Sequence, residues 1–177
     1  MKKVVIVLLL LVISFSAFAQ NAIKFLGIPV DGTKKEMISK LEEKGYEYDS
    51  QADVLTGEFN GTNVIIMVQT VNNRVWRIAI LDANGTDEAN IKIRFNTLFE
   101  QFTNNSKYKK VDGTKLKDSD DISYEMLVNN KRYDAIFSPK DDSINGVVWY
   151  AINSQYGKYQ IIMFYENTAN AANGDDL

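Results

Sequence analysis

Twice along this chain an amphipathic helical segment is followed by short β-rich runs separated by turn residues, and that order leaves few folds open. It predicts an α+β protein: an antiparallel sheet of about seven strands with two helices on one face. The first helix is marked at both ends. Asp31-Gly32 is a turn signal, Thr33-Lys34-Lys35-Glu36 has the form of a capping box, and Gly45 offers the left-handed residue that stops a helix. Met37, Ile38 and Leu41 line one side, so the helix is predicted over about 33–44. Strands follow at 54–59, 63–70 and 74–81, parted by Asn60-Gly61 and Asn72-Asn73.

The second unit starts at Asn84-Gly85, with Asp87 and Glu88 as an acidic helix start. Ile91, Phe95, Leu98, Phe99 and Phe102 form a wide apolar stripe, which predicts a core-facing helix over about 87–103. Residues 104–121 are polar, with Tyr108 and Val111 as a short strand candidate. Strands are then predicted at 122–128, 132–138, 144–153 and 157–165, and an unstructured tail over 167–177. The halves, 20–83 and 84–166, read as a possible tandem repeat of helix-plus-meander units. Val75-Trp76 and Val148-Trp149 stand 73 residues apart and suggest the register.

Residues 1–19 have the form of a secretory signal peptide: Lys2 and Lys3, an apolar run of about 12 residues, then Ala17-Phe18-Ala19. The run is shorter than the roughly 20 residues a membrane span needs. No cysteine follows the cleavage point, so no lipid anchor is expected, and the chain is expected in the periplasm or outside the cell. Cleavage would remove two lysines and leave 18 positive charges against 23 negative ones, net −5. That balance argues against a nucleic-acid partner. Lys107, Lys109, Lys110, Lys115 and Lys117 are interleaved with acids and read as a solvated loop.

The chain has no histidine and no cysteine, which excludes imidazole bases, thiol nucleophiles, zinc sites built on them and disulfides. No cofactor is expected. Asp118-Ser119-Asp120-Asp121 starts like a calcium loop, but Ser123 and Asn129 occupy the positions that need glycine and a bidentate acid. No phosphate-cradling glycine loop is present, and no Ser-x-x-Lys spacing falls in a convincing setting. A carboxylate-based hydrolase stays open as a minor alternative, with Glu125, Asp134 and Glu166 as its candidate acids.

The run Phe25-Leu26-Gly27-Ile28-Pro29-Val30-Asp31-Gly32, the short helix ending Lys44-Gly45-Tyr46, and Leu55-Thr56-Gly57-Glu58-Phe59-Asn60-Gly61 resemble small exported proteins of the Bacteroides type, of unknown function. Those are similar in architecture to the β-lactamase-inhibitor-protein-like fold, in which helix-plus-sheet units sit in tandem. The resemblance covers about residues 25–82 and carries no catalytic residue. It implies a binding surface on the sheet, not β-lactamase inhibition.

Seven of the nine tyrosines lie after residue 107. Strand alternation places Tyr124, Met126, Val128, Tyr133, Ala135, Phe137, Tyr159, Ile161, Met163 and Tyr165 under the helices. The opposite face would show Glu125, Leu127, Arg132, Asp134, Gln160, Ile162, Phe164 and Glu166, with Trp149 as a further candidate, a mixture of aromatic, basic and acidic groups of the kind protein-binding surfaces use. The expected function is recognition of a protein or peptide by this open face, in an inhibitor-like manner. The alternative is a small-molecule or lipid carrier with an apolar pocket between the second helix and the sheet.

Overall fold

The computed structural model describes residues 21–171; the expected signal peptide and the last six residues lie outside them. In chain order the elements are β1 (Lys24–Phe25), β2 (Ile28–Pro29), α1 (Lys34–Glu42), β3 (Glu47–Asp49), β4 (Val54–Phe59), β5 (Thr62–Val71), β6 (Arg74–Asp82), α2 (Glu88–Asn104), β7 (Tyr108–Asp112), α3 (Ile122–Val128), β8 (Asp134–Pro139), β9 (Val147–Gln155) and β10 (Lys158–Glu166). β1 and β2 form a small ribbon. The other eight strands make one antiparallel sheet in the order β3-β4-β5-β6-β10-β9-β8-β7. The first half therefore supplies one helix, the second two, and each supplies four neighbouring strands; the last strands of the two halves pair at the centre, with Ile80 opposite Met163 and Ile78 opposite Tyr165.

The capping box forms as the sequence requires. The Thr33 hydroxyl accepts from the Glu36 amide at 3.3 Å, and the Glu36 carboxylate accepts from the Thr33 amide at 2.9 Å. Gly45 takes a φ of +93° just past α1. Met37 and Leu41 from α1, the Ile91 to Phe102 stripe of α2 and Ile122 of α3 all join one apolar cluster with Leu55, Ile66, Ile78, Phe137, Tyr150, Ile161 and Met163 of the sheet and Tyr133 just before β8. All three helices thus cover the same face. The Tyr150 hydroxyl donates to the Phe95 carbonyl at 3.1 Å, and Arg94 of α2 pairs with buried Asp82 at the end of β6 at 3.0 Å.

Three expectations change. Residues 122–128 form a helix, not a strand. Asp121 accepts from the Tyr124 amide, and the Glu88 carboxylate accepts from the amides of Ile122 and Ser123, so two acids hold the helix start. As a result Tyr124 and Val128, expected under the helices, are exposed. The tail assigned from Asn167 is tied down through Ala171: buried Asn167 donates to the Val30 carbonyl, and Asn170 donates to Asp31 and to the Val75 carbonyl. The tryptophan register also fails. Trp76 lies in β6, the fourth strand of its meander, whereas Trp149 lies in β9, the third strand of the other.

Candidate functional site: the uncovered face of the sheet

Alternation along β4 to β10 sends every second side chain away from the helices, and strand pairing gathers these into rows across the sheet. One row runs Asp134, Ala151, Ile162, Leu81, Ile65 and Thr56. The next runs Ile136, Trp149, Phe164, Ala79 and Met67, and the third runs Val147, Glu166, Arg77 and Gln69. Two apolar rows are therefore edged by a polar one. Five strands at a spacing of about 4.8 Å make the band roughly 20–24 Å long. Trp149, Ile162, Leu81, Ile65 and Met67 are only partly covered, and none of them joins the helix-side cluster.

A β-bulge sharpens this face. Gln69 pairs with Arg77 and Thr70 with Val75, leaving Trp76 as the extra residue. Val75 and Ile78 both enter the core, so the two residues between them, Trp76 and Arg77, emerge together on the uncovered side. The Arg77 guanidinium lies 4.0 Å from the Trp76 ring centroid and 4.9 Å from that of Phe164. It also pairs with Glu166 at 2.7 Å. Glu166 in turn accepts from the Trp149 indole N–H at 2.8 Å, and Trp149 stacks on Phe164 with centroids 4.2 Å apart. The Arg77 Nε is buried and has no hydrogen-bond partner among the described residues.

The residues anticipated from the sequence are divided by the fold. Trp149 and Phe164 meet at the centre of this face, although Phe164 is 9% exposed because Trp149 and Arg77 lie over it. Asp134 sits at the end of the first row, and Arg132 lies just outside β8 with its guanidinium 3.6 Å from the Asp134 carboxylate. Gln160 is on β10 beyond the apolar rows, where its amide donates to the Asp82 carbonyl. Glu125 is removed from the face altogether. It belongs to α3, which packs on the other side of the sheet through Ile122 and a contact between the Ser123 and Tyr159 hydroxyls.

Trp76 and Arg77 were missed, because a bulge that turns two adjacent residues to one side leaves no mark in a single strand's pattern. Glu125, Asp134 and Glu166 share no cleft: Asp134 and Glu166 are separated by two strands and four residues, roughly 16 Å at ordinary strand spacings. Among the described residues no cluster of three or more acids could hold a metal, and no helix is long and apolar enough to cross a membrane.

The helix-covered side carries a separate cleft of about 450 Å³ between the C-terminal half of α2, the β1–β2 ribbon and β10. Compared with known protein families, with curated proteins and with solved structures, the chain matches none.

Proposed function

We propose that this is an exported, non-enzymatic binding protein that recognises a protein or peptide through the uncovered face of its sheet, in the inhibitor-like manner its sequence resemblance implies. The observation that supports this reading is the Trp76–Arg77–Phe164–Trp149 cluster set in two apolar rows. Tryptophan and arginine dominate the energetic centres of interfaces because they combine large buried area with directional polar contacts. The rows and their polar edge span on the order of 400 Å² by strand spacing, about half of what one partner contributes to a standard interface. Strand pairing sets the partly covered Trp149, Ile162, Leu81, Ile65 and Met67 side by side on one face, not singly scattered over the surface.

The test is retention of a cell-envelope protein by the purified chain, compared across variants. Trp149→Ala and Arg77→Ala should each lose the bound species by tenfold or more, while Leu127→Ser on α3 should retain it. Loss by the α3 variant and retention by the other two would exclude this face.

A second reading, a carrier of small apolar molecules, is favoured by the cleft beneath α2, lined by Leu98 and Phe102 of α2 and Met163 of β10.

A further inference from the structure

We propose that the cleft beneath α2 binds a monocarboxylic acid with an apolar body, its carboxylate held by the phenol groups of Tyr108 and Tyr165 and by Lys107; this rests on the carrier reading above. A volume of about 450 Å³ lies within the range of small-molecule sites. Leu26, Phe59, Leu98, Phe102 and Met163 supply the apolar wall.

The polar end is unfinished. Tyr46 donates to the Glu58 carbonyl, Tyr150 to the Phe95 carbonyl, and Tyr159 is bonded to Ser123. The hydroxyls of Tyr108 and Tyr165, both lining the cleft, have no hydrogen-bond partner among the described residues, although Tyr165 is 7% exposed. Both hydroxyls reach solvent within the cleft, which leaves them free to donate to an acceptor bound there. Burial raises both phenols above their ordinary pKa, and in Tyr165 the nearby Tyr108 adds to the rise. They stay protonated at neutral pH and can donate to a carboxylate oxygen.

Lys107 lines the same cleft and makes no ion pair among the described residues. Glu58, within β4, is the acid of the lining. Its negative charge disfavours a ligand that carries more than one carboxylate. Leu26 adds an independent sign. It holds a φ of +51°, beside Gly27 at +82°, in a turn where asparagine or glycine would relieve the strain. The strained position sets an apolar side chain on the cleft wall, the kind of local cost that accumulates at functional sites.

The test titrates decanoate and decanol into the full chain by calorimetry at pH 7. Decanoate should bind at least tenfold more tightly than decanol. The double variant Lys107→Gln/Tyr108→Phe should lose tenfold or more for decanoate with decanol unchanged, and Leu127→Ser at an exposed position of α3 should change neither. Circular dichroism establishes that each variant is folded, and Tyr165→Phe serves as the second probe if the double variant is not. Equal affinity for acid and alcohol, or an unaffected double variant, overturns the carboxylate assignment while a carrier stands. Binding of neither compound overturns both.

Discussion

Arg77 touches two aromatic rings and one carboxylate, and only a planar cation can do all three. Arg77→Lys keeps the charge but loses the stacking; a stability loss of about 0.5–2 kcal/mol is expected by chemical denaturation, given typical cation–π values at partly buried sites. Asp31 supplies a pH-dependent counterpart. Burial pushes its carboxyl up, but the donors Asn170 and Gly32 and the Arg74 guanidinium together outweigh burial and hold it below the ordinary value. A group with a lowered folded pKa contributes stability above the unfolded value, about 4, and loses it as pH falls through the folded one. Asp31→Asn should therefore cost most at pH 6, and the difference from wild type in Tm should shrink by pH 3. Tyr150 has the opposite sign. Burial raises its phenol, so its stabilisation is complete below about pH 10 and is lost at higher pH. Tyr150→Phe should cost about 1 kcal/mol at neutral pH, from the lost bond to the Phe95 carbonyl, and should blunt the alkaline limb of unfolding. The partnerships that tie distant segments together are not local. Asp31 meets Asn170 across 139 positions and Tyr150 meets Phe95 across 55, so no reading of neighbours along the chain reaches them.

The elements divide into those whose ends are fixed locally and those fixed by packing. α1 carries its own start and stop, and Thr33→Ala should cost about 1 kcal/mol in thermal unfolding because it removes half of a capping box. Near it, the Tyr46 ring lies where a side chain on Gly57 would go: a Cβ there would come within 2.6 Å of Tyr46 Cδ1. Gly57→Ala is expected to displace that ring and its bond to the Glu58 carbonyl, at about 1–3 kcal/mol. α3 shows the opposite situation. Ile122, Tyr124, Met126 and Val128 alternate like a strand, yet Ile122 and Met126 also stand one helical turn apart, and seven residues do not separate the two periods. What decides is Glu88, 34 positions away on α2, whose carboxylate accepts from the Ile122 amide. β3 was overlooked because three residues, Glu47–Asp49, carry no periodic signal, and they pair only as an edge.

Across the whole molecule the central event is the pairing of β6 with β10, which joins two meanders into one sheet. Amides of these strands should exchange with solvent most slowly, while those of β3 and β7 at the edges should exchange fastest, measurable by native-state hydrogen exchange. Equal protection in all eight strands would contradict a sheet built outward from its middle. The same pairing stacks Trp149 of β9 on Phe164 of β10 and sets Glu166 against Arg77 of β6, so the uncovered face exists only when both halves are joined. The sequence by itself determined the class of fold, the two long helices, the hairpin strands from Val54 onward in the first unit, and which side of the C-terminal strands enters the core. Caps, turns and periodicity act between residues a few positions apart, and these are written into the chain. Only the tertiary structure decided the helical state of residues 122–128, the anchoring of Asn167 and Asn170, the bulge that turns Trp76 and Arg77 outward, and the cleft that brings Leu26 beside Tyr165. Each depends on contacts between distant segments, whose free energy exists only once the sheet has closed around its centre.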